Sequence, residues 1–302
     1  MTEENENLGA GVGFIDGEYQ PISEVKIPVS DLGFLMSDVI HDAVHVWKGS
    51  IFRLDDHLDR FERSVAGVRM ILPCDRAEIV QIMMECVRLS GLRDSLVYLI
   101  ASRGIPTDSQ RDLRTCTNRF MVLAYPFLWY LPPEQMDTGA HVIISSIIRI
   151  PPESIDPKIK NFNRLDFSRA LFEAYDRGGE YPILLDFEGN VTEGRGFNVF
   201  ALFGGKLVSP KRGVLEGMTR RTVMELCAET NVKAVLGNIK PADLRNADEA
   251  FLTSTAGGIM PVTKVDDQLI GNGSTGPLTL RLKDRYWALH ENPKYVTPVA
   301  YV

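Results

Sequence analysis

Two lysines, an acid and a glycine–threonine helix start carry most of the chemistry that this sequence could perform. Lys158 and Lys160 lie in Ser-Ile-Asp-Pro-Lys-Ile-Lys-Asn, flanked by Pro157, Ile159 and Phe162, after an expected strand and before an expected helix. Desolvation among apolar neighbours lowers a lysine pKa, by up to about 3–5 units at full burial. The uncharged amine is then a nucleophile toward carbonyl compounds at neutral pH. Strand alternation does not choose between the two lysines, because residues two apart face the same way. Glu193 sits in Val-Thr-Glu-Gly-Arg-Gly-Phe-Asn, where glycines let backbone approach a ligand closely; it reads equally as a turn residue between strands. Gly217-Met218-Thr219 opens a helix, whose free N–H groups favour a phosphate unless Thr219 is a plain cap. Ser254-Thr255-Ala256 follows a strand and reads similarly.

The amine, the acid and the helix start come in that order, in what reads as one folded unit. A cofactor with an aldehyde, a ring nitrogen and a phosphate needs those three kinds of group. Other motifs carry less. Gly271-Asn-Gly-Ser-Thr-Gly276 fits G-x-G-x-x-G but does not follow the strand of a βαβ unit, so it reads as a loop. His41 and His45 are four apart, but in a strand that places them about 13 Å apart, which argues against a metal site. No Walker motif and no Gly-x-Ser-x-Gly elbow is present.

The elements that must position these groups alternate irregularly between strands and helices, with many hairpins, which indicates an α+β fold. Residues 1–10 read as a disordered tail. Gly11–Pro28 reads as a hairpin turning at Asp16-Gly17, with its return strand near Val25–Pro28, and Ser30–Met36 as a loop. Asp38–Trp47 is a strand. Leu54, Leu58, Phe61, Val65 and Val68 then recur at helical spacing, with His57 and Arg60 on a neighbouring stripe. Asp75 and Glu78 form a possible capping box for a second helix. Strands are expected at Leu96–Ser102 and Phe120–Tyr125, separated by a polar, mobile loop over Gly104–Asn118. Pro132-Pro133 and Gly139 mark a linker. The expected layout is a tail over 1–10, a smaller N-terminal domain over 11–131, a linker over 132–139 and a larger domain over 140–302.

The chain has 302 residues, 44% hydrophobic and 24% charged, with net charge −7. That is ordinary for a soluble globular protein, and the acidic balance argues against nucleic acid or an anionic membrane as partner. The four cysteines include no Cys-x-x-Cys pair, which fits a reducing, cytoplasmic compartment.

Together, RLDDHLDR, SIDPKIKN, TEGRGFNV, GVLEGMTR and TSTAGGIMP resemble the motifs of the fold-type IV pyridoxal-phosphate enzymes. That family includes branched-chain and D-amino-acid aminotransferases, aminodeoxychorismate lyases and (R)-selective amine transaminases. The resemblance runs from about Gly11 to about Trp287 and is closest to the (R)-amine transaminases. It implies a two-domain enzyme, α/β in its N-terminal domain, β-rich in its C-terminal one, with pyridoxal 5'-phosphate between them, and a homodimer. It implies that Lys160 is the Schiff-base lysine and Lys158 a surface residue. Glu193 pairs with the pyridine nitrogen; Arg60, Gly217, Met218, Thr219, Ser254 and Thr255 hold the phosphate. An Arg–phosphate hydrogen bond is worth about 1.5–3 kcal/mol and a helix terminus about 0.3–1, so Arg60 is expected to be the stronger anchor. The freed Lys160 moves a proton between substrate carbon and cofactor, while Glu193 keeps the ring an electron sink.

Departures from the family pattern bear on substrate. Met36 and His41 stand where relatives carry His and Tyr. Phe162-Asn-Arg-Leu165 replaces an aromatic-plus-glycine pattern, and Arg195 a small residue. Arg111, Arg114, Arg164 and Arg195 are candidate carboxylate ligands or solvated side chains, and Ala256 joins Met36, His41, Arg111 and Arg164 as expected substrate contacts. The amino donor is an (R)-amine, a D-amino acid or a branched-chain amino acid, with a keto acid such as pyruvate as acceptor; a lyase outcome uses the same lysine.

Overall fold

The computed structural model describes residues 10–108 and 111–301. The chain divides into two compact units. The first comprises residues 1–128, 159–163 and 290–302, the second residues 129–158 and 164–289.

The first unit is built on a seven-stranded sheet. Its strands are β1 (Val12–Ile15), β2 (Glu18–Pro21), β3 (Val39–Trp47), β4 (Ser50–Phe52), β5 (Ser95–Pro106) and β6 (Cys116–Pro126), with the C-terminal strand Val296–Pro298. The order is Val296–Pro298, β4, β3, β5, β6, β1, β2, and all the pairings are antiparallel. β3 is nearly all buried, which is why it reads as a continuous apolar run rather than an alternation. The helix Leu54–Gly67 sends Leu58, Phe61 and Val65 into a core shared with Val44, Met83, Val97 and Val122. The expected capping box opens Arg76–Ser90: Glu78 N donates to Asp75 Oδ1 at 2.9 Å, and Asp75 N to Glu78 Oε2 at 2.8 Å.

The second unit carries a nine-stranded mixed sheet. Its strands are β7 (Ala140–Ile148), β8 (Tyr181–Leu185), β9 (Val191–Gly194), β10 (Asn198–Phe203), β11 (Lys206–Pro210), β12 (Lys233–Gly237), β13 (Glu249–Ser254), β14 (Gly258–Val265) and β15 (Gln268–Leu269). The order is β12, β11, β10, β13, β14, β7, β8, β9, with β15 paired to β14. The helices are Leu165–Asp176, Met218–Glu229, Pro241–Arg245 and Pro277–Ala288. Val142, Phe197, Val199, Leu252 and Met260 lie in its core. Among the described residues, no helix is long and apolar enough to cross a membrane.

Several expectations give way. The return strand of the first hairpin is Glu18–Pro21, directly after the turn, and not Val25–Pro28, because a tight turn sets register at once. Ser30–Met36 contains the helix Leu32–Met36, capped by Asp31 Oδ1 on Gly33 N at 2.7 Å. The loop expected over Gly104–Asn118 is shorter, since β5 runs to Pro106 and β6 starts at Cys116. Its residues 109–110, like the tail residues 1–9, lie outside the described residues. Within the segment 132–139, Met136 is buried in the second core and Gly139 N donates to Gln135 O at 2.8 Å. β14 follows Ser254-Thr255-Ala256 without having been read from the sequence. Residues 159–163 belong to the first unit and Glu193 to the second, so lysine and acid do not share one unit.

Candidate active site

In the first unit, Arg60 and His57 stand one helical turn apart and close on Asp42 of β3. Arg60 donates to Asp42 Oδ2 from Nε at 2.7 Å and to Oδ1 from Nη2 at 2.7 Å. His57 Nδ1 lies 2.8 Å from Asp42 Oδ1. All three side chains are buried. Burial opposes the Asp42 charge, but the Arg60 charge and the His57 hydrogen bond overcome it and hold the carboxyl well below the usual carboxylate range. Burial pushes the His57 pKa down; Asp42 opposes this, and the charges of Arg60 and Lys160 add to it.

Lys160 belongs to the same unit. Its carbonyl accepts from His41 N at 3.0 Å, its own N–H donates to Ser64 Oγ at 3.3 Å, and Phe162 N donates to Val39 O at 3.2 Å. Ser64 Oγ in turn donates to Arg60 O at 2.8 Å. The lysine backbone is therefore tied to β3 and to the helix that carries Arg60. Lys160 is half-buried, whereas Lys158 is exposed and pairs with Glu216 Oε1 at 3.3 Å. That contrast separates two lysines that alternation leaves equivalent.

The other expected groups of this unit are more scattered. His41 is buried, with its ring 4.7 Å from that of Phe162. Met36 is exposed at the end of Leu32–Met36. Arg111 is exposed with φ +58°, and Arg114 donates to Asp112 from Nε at 2.9 Å.

In the second unit, Glu193 lies on β9 rather than in a turn, and is buried. Its Oε2 accepts from Leu215 N at 2.8 Å and from Asn198 Nδ2 at 3.1 Å, and its Oε1 lies 3.5 Å from Arg149 Nη2. The helix Met218–Glu229 starts at Gly217, which no side chain caps. A Cβ on Gly217 would stand 2.1 Å from Asn198 Oδ1. Thr219 is not the cap; its hydroxyl lies 3.3 Å from Tyr286 Oη. The helix Pro277–Ala288 behind the G-x-G-x-x-G stretch is different. Glu249 Oε1 and Oε2 accept from Leu278 N at 3.0 Å and Thr279 N at 2.8 Å, so a carboxylate already fills that helix start. Its preceding strand, β15, is one arm of a hairpin and not part of a βαβ unit.

Ser254 Oγ donates to Gly196 O at 2.9 Å and accepts from Ala256 N at 3.1 Å, while Ala256 O accepts from Tyr130 N at 2.9 Å. Ser254 thus ties two turns together, with Thr255 half-buried between them. Arg164 is the N-cap of Leu165–Asp176. Arg195 is exposed and lines a cleft of about 230 Å³ with Tyr130, Tyr175, Glu180 and Tyr181.

The sequence reading passed over Asp42, Asn198 and Arg149. The one acid inside the strand run VIHDAVHVW was a usable signal, because a buried carboxylate needs a partner. Asn198 and Arg149 offered none, since their roles depend on contacts with distant residues.

Comparison with known proteins decides the family. Residues 40–265 match the model of amino-transferase class IV. The chain is a class IV aminotransferase. This aminotransferase is 30% identical over 276 residues to a putative branched-chain-amino-acid aminotransferase of Methanocaldococcus jannaschii, covering 90% of this chain and 94% of the relative. It is 28% identical to the D-alanine aminotransferase of Bacillus licheniformis, covering 87% and 92%. Among solved structures, the branched-chain amino acid aminotransferase of Thermobaculum terrenum in its pyridoxal-phosphate form superposes with a TM-score of 0.87 at 26% identity, covering 97% of this chain and 99% of the other. The fold is that of the class IV enzymes, and the cofactor is pyridoxal phosphate.

The residues present fit that cofactor. A half-buried lysine is fixed by its backbone, a buried carboxylate is held by two donors and faces a guanidinium, and the helix start at Gly217 has no side-chain cap. Among the described residues, no group of His, Cys, Asp and Glu could hold a metal ion.

Proposed function

We propose that this transaminase moves an amino group from an amino acid, or from an (R)-amine, to a 2-keto acid such as pyruvate, using Lys160. The observation that carries the reading is the contrast between the two lysines: Lys160 is half-buried and fixed through its backbone, while Lys158 is exposed and ion-paired. When bound, the cofactor supplies the aldehyde and the electron sink. With the cofactor bound, Lys160 would hold its aldehyde and, once freed by the donor amine, its amine would take up and return the proton at the substrate carbon. Glu193, buried on β9, would face the ring nitrogen and favour its protonated form. In the first unit Arg60, oriented by Asp42, is the phosphate ligand we assign; in the second unit we assign the amides of Met218 and Thr219 and the Thr255 hydroxyl. Ser254 shapes the loop from which Thr255 and Ala256 project.

The relatives' names favour branched-chain and D-amino acids as donors over simple amines. His41, Arg111 and Arg164 are the side chains we assign to the substrate, with Met36 and Ala256 shaping its apolar part. Val29, Phe34, Leu35 and Met36 form an exposed apolar run in the first unit, which supports a homodimer. Four free cysteines support a reducing, cytoplasmic setting.

The experiment is a panel of L- and D-branched-chain amino acids, D-alanine and (R)-1-arylalkylamines, each with pyruvate and 2-oxoglutarate. Borohydride reduction and peptide mass mapping accompany it. Amino transfer with the reduced label on Lys160 is expected. Pyruvate release without amino transfer, or a label on another lysine, would overturn the reading.

A further inference from the structure

Behind Glu193 lies a second carboxylate that shares its guanidinium. Arg149 follows β7, with its backbone N–H donating to Leu185 O at 2.9 Å. Its Nη1 donates to Asp166 Oδ2 at 2.6 Å, and its Nη2 reaches Glu193 Oε1 at 3.5 Å. The guanidinium carbon lies 4.3 Å from the centre of the Phe167 ring, so stacking and the Asp166 bond together fix the plane of the fork. Arg149, Asp166 and Glu193 are each at most 8% exposed. Asp166 accepts from Ile150 N at 3.2 Å and Phe167 N at 2.8 Å, so it is anchored independently of the arginine.

The unequal distances matter. The short bond goes to Asp166 and the long one to Glu193, so the guanidinium charge is divided in favour of the acid that does no chemistry. A guanidinium given wholly to Glu193 would compete with a protonated ring nitrogen for the same carboxylate. With no Arg149 guanidinium, Glu193 would keep its hydrogen-bond donors but lose the cation beside its Oε1. A further charged neighbour is Arg220 of Met218–Glu229, whose charge also acts on Glu193, while its own Nε donates to Ser209 Oγ at 2.9 Å. The neutral donors are Asn198 and Leu215 N.

We propose that Arg149 is a positioning residue whose charge, divided between Asp166 and Glu193, sets how tightly Glu193 and the cofactor's ring nitrogen together hold their proton. The inference rests on the assignment of Glu193 to that nitrogen. The shared proton titrates as a property of the pair. Removing the cation makes the site more negative, so the proton stays to higher pH. Removing the Asp166 charge turns the whole guanidinium toward Glu193, so the proton leaves at lower pH.

The test loads the protein with pyridoxal phosphate carrying ¹⁵N at the ring position and follows that signal against pH. Arg149→Met is expected to raise the midpoint by about one pH unit, and Asp166→Asn to lower it by a similar amount, about a tenfold change in proton affinity each. Arg149→Lys, which keeps the charge, is expected to stay within a few tenths of a unit of the parent. A thermal melt reports stability separately. A purely structural role would lower the melting temperature of all three and leave the midpoint in place, and that result, or shifts of one sign in both charge-removing variants, would overturn the proposal. If Arg149→Met does not fold, a midpoint unmoved by Asp166→Asn suffices to overturn it. Glu193→Gln separates the two levels. If it leaves the ring signal unchanged, the Glu193 assignment itself fails; if it changes the signal while the other variants do not, only the present inference fails.

Discussion

Arg60 grips both carboxylate oxygens of Asp42, at 2.7 Å each, and the pair is completely withdrawn from solvent. His57 leans on the same carboxylate, so an acid, a base and a guanidinium form one buried cluster under the helix Leu54–Gly67.

That cluster fixes an acid limb of stability. Asp42 and His57 both bind protons more weakly in the folded chain than in the unfolded one. For His57, the contribution is fully present above the unfolded value of 6.5 and is lost as pH falls below it. For Asp42, it is present above 3.8 and is lost as pH falls toward its depressed folded value. Urea unfolding at a series of pH values should show stability declining below pH 6.5 and declining more steeply below 3.8. His57→Gln should remove the upper limb alone. Asp42→Ala strands the Arg60 charge and should cost about 3–5 kcal/mol.

Lys160→Ala should abolish turnover, by more than the about 10²–10⁴-fold of a lost proton-transfer group, because it also removes the covalent attachment. Lys158→Ala should leave turnover within about twofold, since an exposed ion pair such as Lys158–Glu216 is worth about 1 kcal/mol or less. Steady-state rates of both variants, with a melt to show that they fold, check this. Equal losses in the two would place the reacting amine wrongly.

Glu193→Gln keeps the shape and removes the charge. Transfer of the substrate proton, read from the rate of single turnovers with α-deuterated donor, should slow by about 10²-fold or more. Cofactor affinity, measured by dialysis and re-addition, should change by less. Parental single-turnover rates would exclude the role given to this acid.

Gly217→Ala is a steric probe of the same neighbourhood. Backbone φ at −64° suits any residue, so only space decides. The added Cβ would stand 2.1 Å from Asn198 Oδ1, and Asn198 also holds Glu193 and Leu215 O. The variant should lose about 1–3 kcal/mol in thermal or urea unfolding and bind the cofactor more weakly. Unaltered cofactor affinity would mean that this helix start is remote from the phosphate.

Glu249→Ala tests the other helix start. It removes a carboxylate that accepts from Leu278 N, Thr279 N and Thr279 Oγ1. A loss of about 2–3 kcal/mol is expected, with cofactor affinity and turnover of the folded fraction unchanged. A weakened cofactor would show that the glycine-rich stretch before Pro277 is not the plain loop that the fold makes it.

What the sequence determined by itself was local. The spacing of Leu54, Leu58, Phe61 and Val65 specifies a helix, and Asp75 with Glu78 specifies where the next one starts, because those interactions span three or four residues. The five motifs identified the family, because their residue types and order survive without knowledge of contacts. The tertiary structure decided what depends on residues far apart in the chain: that Lys160 and not Lys158 is half-buried, that Arg60 is held by Asp42, and that Glu193 takes its donors from Asn198 and Leu215 and faces Arg149. Sheet order and register bring those residues together, and no local spacing encodes them. The same reason explains why Ile159–Asn163 and His290–Val302 pack with the first unit: Asn161 bridges to Ile40 of β3, and Val296–Pro298 pairs with β4.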